Sequence, residues 1–411
     1  MTGQLPADAS ATEADAVLTA RLAAGVTVSA AGRPFAAASV DLIEDVLGDR
    51  EYESALRILE SFISPTAYPP PYLLDKLLSI PLGPPHHNKR KQQQQQQQQK
   101  QPSPPFQTQI HAVAVLNLVF TLHGSEPFRT LFIEQEAAES RLWELMRQAC
   151  GFWEETEGKD KEVQEKGELE HGMELVLAGP MIRFLLDVVG HDLAVQYRAG
   201  NVKKSILATS LGRYRKVDFR APLDVMSEMV ESSALESDAI PLVAALIYEL
   251  ALLSMAGNSD LTSYLRDLLP NLKAFTPDDL QELLSCLPSN SLRWTLTDML
   301  LRNFCTFAKK PSALQCSSSA PVLDPAVIFA ILTATPLNKD DWTTVTLLVT
   351  QLVSAVDVGG IGDEEERHQV LRDAVRAFLV RAPKRYLDVA VARALEDAME
   401  IIFLKCGEPP K

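Results

Sequence analysis

The densest chemistry in the sequence is a run of cations. Between Arg198 and Arg220 lie Arg198, Lys203, Lys204, Arg213, Arg215, Lys216 and Arg220, opposed only by Asp218, a net +6 over 23 residues. Tyr197, Tyr214 and Phe219 are interleaved with them. Guanidinium and ammonium groups beside aromatic rings suit phosphates, an RNA backbone or an acidic protein segment. The candidate partner-binding residues are therefore Arg198, Lys203, Lys204, Arg213, Tyr214, Arg215, Lys216 and Arg220. Upstream, Glu134 to Glu174 holds 13 acidic residues against five basic ones, a balance of -8. The plain alternative is that the two stretches offset one another across neighbouring helices, or are solvated faces.

Catalytic constellations are hard to find. The sequence has no GxSxG elbow, no HExxH and no GxxxxGK[ST] loop. Gly158-Lys159-Asp160 lacks the hydroxyl residue of a phosphate loop, and Gly359-Gly360-Ile361-Gly362 lacks the preceding strand and final glycine of a dinucleotide turn. Gly190-His191-Asp192 follows an apolar stretch containing Phe184, Leu185 and Val188. His191 is expected to cap the C-terminal end of that helix, where a cation is favoured. Cys150, Cys286, Cys305, Cys316 and Cys406 are scattered, with no CxxC and no Cys/His set at zinc-ligand spacing. These residues imply no metal, no cofactor and no catalytic site, and mostly structural, reduced thiols. An enzyme whose site forms only in three dimensions is kept as a further alternative.

The net charge of -15 argues against nucleic acid as a partner of the whole surface and leaves a local basic patch open. The first fifteen residues carry Asp8, Glu13 and Asp15 and no Lys or Arg, unlike a signal or transit peptide. Asn-x-Ser/Thr acceptors are absent. These features favour a cytoplasmic protein, and Lys89-Arg90-Lys91 leaves nuclear entry open. The longest apolar run, Ala239 to Gly257, has the length of a membrane span but holds Pro241 and Glu249. A charge at mid-span costs about 2.5 kcal/mol or more in lipid. A buried central helix fits the run better, and no membrane span is expected.

The elements that must position these groups are helical. The chain has 58 leucines and only 19 glycines in 411 residues, a helix-forming balance. Val370, Leu371, Ala374, Val375, Phe378 and Leu379 lie at spacings of three and four, and so do Leu387, Val391, Ala394, Leu395, Ala398 and Ile402. Trp342, Val345, Leu348, Val349, Leu352 and Val356 form another such stripe. Thr276-Pro277-Asp278-Asp279 marks a helix start, with a hydroxyl cap, a proline at the first position and acidic groups in the first turn. No segment sustains a two-residue alternation, so no sheet is expected.

Helix pairs recur every 35 to 45 residues, as at 237–256 with 259–275, 277–287 with 291–308, and 363–381 with 384–405. That period resembles the armadillo and HEAT class of helical repeat, in pattern and without a repeated residue signature. The resemblance implies an all-α fold, an α-solenoid of antiparallel helix pairs, with an irregular all-α bundle as the alternative. Residues 1–33 are expected as a poorly ordered segment with a short helix. Residues 34–411 are expected as one helical-repeat domain interrupted by disordered loops at 81–109, 154–170 and 309–323. The first loop carries eight glutamines, Gln92 to Gln99, among prolines. Such an architecture suits a non-enzymatic scaffold, adaptor or assembly chaperone holding a protein partner along its groove, with an acidic segment as one form that partner can take. An RNA- or phosphate-binding repeat protein using 198–220 is the rival.

Overall fold

The computed structural model describes residues 7–23, 32–82, 104–133, 140–150, 164–212, 220–232, 235–257, 261–272, 275–288 and 290–306. Beyond these it describes 315–316, 321–322, 335–336, 343–345, 347–348 and 351. Side chains are described from Ala14 in the first helix and from Leu177 in the longest one. The chain divides into two compact units, Val17–Leu253 and Met1–Ala16 with Ser254–Lys411. The described residues are overwhelmingly helical, and the fold is all-α.

The unit 17–253 is built from near neighbours in sequence. Helices α2 (Ala37–Gly48) and α3 (Tyr52–Phe62) pack together, and α3 also rests on α5 (Phe106–His123). Helix α4 (Pro71–Leu82) lies against α5 and α6 (Glu126–Ile133). Helix α7 (Arg141–Cys150) packs on α8 (Gln164–Arg198) and α10 (Arg220–Glu231), while α9 (Ile206–Leu211) bridges α6 and α8. The strongest contacts join helices one to three places apart along the chain. The cause is amphipathic spacing: Ala55, Leu56 and Leu59 form the inward face of α3, and Leu73, Leu74, Leu77 and Leu78 that of α4. Phe184 of α8 meets the edges of Phe120 and Phe128 at centroid separations of 6.1 and 5.4 Å.

Helix α1 spans Ala7–Ala23, 17 residues, with Leu18 fully buried. Helix α11 (Ala239–Ala256) is the apolar run noted in the sequence. It is long and apolar enough to cross a membrane, and 78% of the stretch is buried inside the protein. In the other unit, α12 (Leu261–Leu272) packs on α14 (Asn290–Phe304), with α13 (Pro277–Cys286) between them in sequence. The expected start of α13 is present in full. Thr276 Oγ1 accepts from the Asp279 N–H at 3.2 Å, and Asp279 Oδ2 accepts from the Thr276 N–H at 2.9 Å, with Pro277 at the first position.

Several expectations are adjusted. Residues 164–170, read as the end of a charged loop, are helical. Their Glu, Gln, Lys and Leu content is strongly helix-forming, and polarity alone does not break a helix. The expected loop 81–109 is shorter at both edges, since α4 runs to Leu82 and α5 begins at Phe106. Residues 83–103, with the glutamine tract, lie outside the described residues, as do 151–163 and the paired segments 363–381 and 384–405. No sheet was expected, yet two-residue strands pair in three places. Arg33–Pro34 runs parallel to Ala67–Tyr68, Cys305–Thr306 antiparallel to Thr335–Pro336, and Gln315–Cys316 antiparallel to Pro321–Val322. Pairings this short leave no alternation to read in a sequence.

Cys150 ends α7 in a buried position, its carbonyl accepting from Ser232 Oγ at 3.0 Å, and burial pushes its thiol up to about 12. Removing the cap of α13 tests the local account. Thr276→Ala is expected to lower unfolding stability by about 1 kcal/mol in urea titrations, with Thr276→Ser close to wild type.

Candidate functional site

Helix α8 stops where its sequence provides a left-handed residue. Gly200 has φ +69°, and the Asn201 N–H reaches back to the Gln196 carbonyl at 2.8 Å while the Gly200 N–H meets Tyr197 O at 2.9 Å. This pair of bonds is a Schellman closure. The chain then makes a single 3-10 turn, Val202–Lys204, before Ser205 starts α9 by accepting from the Ala208 N–H at 3.2 Å. Arg198, Lys203 and Lys204 therefore project from one short exposed segment at the negative end of a 35-residue helix. Among the described residues none of these three forms an ion pair. Arg220 is the exposed first residue of α10. Arg213, Tyr214, Arg215 and Lys216 lie outside the described residues.

The basic turn is held from behind by a buried polar cluster. Arg129 of α6 donates through Nη2 to the Lys204 carbonyl at 2.6 Å and through Nη1 to Asp192 Oδ1 at 3.1 Å. The other carboxyl oxygen, Oδ2, accepts from the Ile206 N–H at 2.6 Å. One carboxylate and one guanidinium thus grip both ends of the segment 204–206. Asp192 is 1% exposed, and burial pushes its carboxyl up to about 6, with Glu126 adding to the rise and the Ile206 amide and Arg129 opposing it. Trp143 Nε1 donates to Ser210 O at 2.9 Å, so α9 is pinned to α7 as well.

His191 does not cap a helix end. Helix α8 continues for two turns beyond it, because Gly190 is accommodated mid-helix where a close neighbour leaves no room for a side chain. Burial lowers its imidazole pKa, and Nδ1 accepts from the Ser125 N–H at 3.2 Å with the Ser125 hydroxyl at 3.0 Å. The imidazole completes the N-terminus of α6, whose first amides meet the Ser125 carbonyl. Gly124, at φ +65°, is required for that approach, since a Cβ would stand 2.5 Å from His191 Cε1. Ser125, His191 and Asp192 are the residue types of a nucleophilic relay, but Asp192 faces Arg129 and Ile206 rather than the imidazole. They do not form one.

Sequence reasoning located the cations and missed their brace. The available signal was Asp192 itself: a carboxylate beside an apolar helical face needs a cation and amide donors, and Arg129 lies on the amphipathic α6. No known family model matches the chain, and no curated protein is significantly similar to it.

Two outcomes follow from the brace. Asp192 has a folded pKa raised from 3.8 to about 6, so its contribution to stability is fully present below about 4 and is lost as pH rises through about 6. His191, lowered by burial, acts in the opposite sense, so the difference between wild type and Asp192→Asn isolates the carboxyl. Wild type should lose stability relative to Asp192→Asn between these pH values in chemical denaturation, with a constant gap above them. Arg129→Ala should cost about 3 kcal/mol by leaving Asp192 and the Lys204 carbonyl short of a donor. Amide exchange at Ile206 and Ala208 should accelerate with it.

Proposed function

We propose that the chain is a non-catalytic helical scaffold of the armadillo/HEAT type that holds an acidic segment of a protein partner. The observation that carries this reading is the turn after α8. Arg198, Lys203 and Lys204 are exposed and lack a carboxylate partner among the described residues, and the Arg129–Asp192 brace holds the backbone of their turn at the Lys204 carbonyl and the Ile206 amide. A rigid presentation lowers the ordering cost of each contact on binding. Packing among helices near in sequence supports the helical-repeat part of the reading, since stacked arrays are built from such local contacts. Arg213, Arg215, Lys216 and Arg220, with Tyr214, extend the same charge along the sequence. The protein acts in the cytoplasm or nucleus on this reading.

A labelled oligoglutamate peptide tests it by fluorescence anisotropy. Binding should weaken as salt rises, and replacing Arg198, Lys203 and Lys204 together by Glu should weaken it at least about tenfold, from roughly 0.5 kcal/mol for each exposed pair. A labelled unstructured RNA of equal charge is the comparison. Tighter, salt-steep binding of the RNA would replace the protein partner by nucleic acid. Equal peptide affinity in the reversed variant would reject the site.

A further inference from the structure

Within the unit 17–253, the last turn of α1 carries one cation, Arg21. The Arg21 guanidinium lies fork to fork on the Glu249 carboxylate of α11, Nη1 donating to Oε2 at 2.7 Å and Nη2 to Oε1. Glu249 is 5% exposed. The Tyr248 ring lies 5.9 Å from Arg21 Cζ, within cation–π range. Gly190 of α8 forms the floor of the contact. A Cβ there would stand 2.6 Å from Arg21 Nη1 and 3.1 Å from Glu249 Oε2. A glycine in a helix interior sacrifices about 1 kcal/mol of helix propensity against alanine, and here its missing side chain is the space the guanidinium occupies. Asp187, one turn before Gly190, adds a second negative charge, with Arg183 opposing it.

We propose that Glu249, Tyr248 and Gly190 form a guanidinium-binding socket, filled in cis by Arg21 and able to take a free alkylguanidinium when Arg21 is absent. The shape selects a planar cation with two parallel donors. An ammonium reaches one carboxylate oxygen as a point charge and leaves the other without a donor. Arg21 stays charged in the socket. Burial pulls its pKa down, but the hydrogen bond and charge of Glu249 outweigh this and raise it. Burial raises the Glu249 carboxyl, and Arg21 draws it back. The socket without its cation is therefore a buried carboxylate without a partner, which gives a free ligand its driving force.

The test uses full-length chains, wild type and Arg21→Ala, Arg21→Lys and the double variant Arg21→Ala/Glu249→Gln, with thermal unfolding followed by circular dichroism. Arg21→Ala and Arg21→Lys should both unfold at lower temperature than wild type. Millimolar N-ethylguanidinium should raise the Arg21→Ala midpoint saturably, by about 3 °C, through mass action on the folded state. It should leave wild type and the double variant unmoved, and N-ethylammonium at equal ionic strength should leave Arg21→Ala unmoved. If Arg21→Ala is isolated unfolded, N-ethylguanidinium should restore its helical signal. The proposal is overturned by failure of that recovery, by equal recovery with N-ethylammonium or in the double variant, or by wild-type stability of Arg21→Lys.

Discussion

A charge withdrawn from water has to be given partners, and among the described residues of the unit 17–253 this is done in three places. Asp192 takes Arg129 and the Ile206 amide, Glu249 takes Arg21, and Arg141 takes Asp75 at 2.9 and 3.0 Å together with Glu144. Their sequence separations, 63, 228 and 66 residues for the long-range pairs, tie helices that apolar packing alone would leave free to slide. Leucine-rich faces are interchangeable, whereas a carboxylate matches only the helix that brings its cation. Apolar burial supplies the driving force for collapse, and these pairs select one arrangement of it.

In all three cases the cation is arginine. A guanidinium can serve two acceptors at once, as Arg129 serves a carboxylate and a main-chain carbonyl and as Arg141 serves Asp75 and Glu144. The lysines of the region are treated differently. Lys203 and Lys204 stay in water, and only the backbone of Lys204 is held. The division separates cations that build the structure from cations left available at its surface.

Much of the helical framework was legible in the sequence, because it rests on local rules. The capping box at Thr276 depends on residues within one turn of each other, whereas the stripes at 370–379 and 387–402 lie outside the described residues. The α11 run was read as a buried helix from Pro241 and Glu249, but the partner of Glu249 sits 228 residues away and no spacing reveals it. Gly190 misled for a related reason. The run Gly190-His191-Asp192 was read as a helix end capped by His191, whereas the helix continues and the space of the missing Gly190 Cβ is taken by Arg21. The basic turn was visible as net charge, whereas the Arg129–Asp192 brace behind it is tertiary. Four of the eight candidate residues, Arg213 to Lys216, lie outside the described residues.

The thiol of Cys150 carries a consequence of its own. Burial, with the Glu228 charge beside it, pushes this thiol up to about 12 and so leaves little thiolate at neutral pH for peroxide or alkylating agents, while Cys286 stands exposed on the other unit. Chemical labelling in the native state should therefore mark one of these two sulfurs and spare the other. The protected one becomes reactive only when the structure around the end of α7 opens to water.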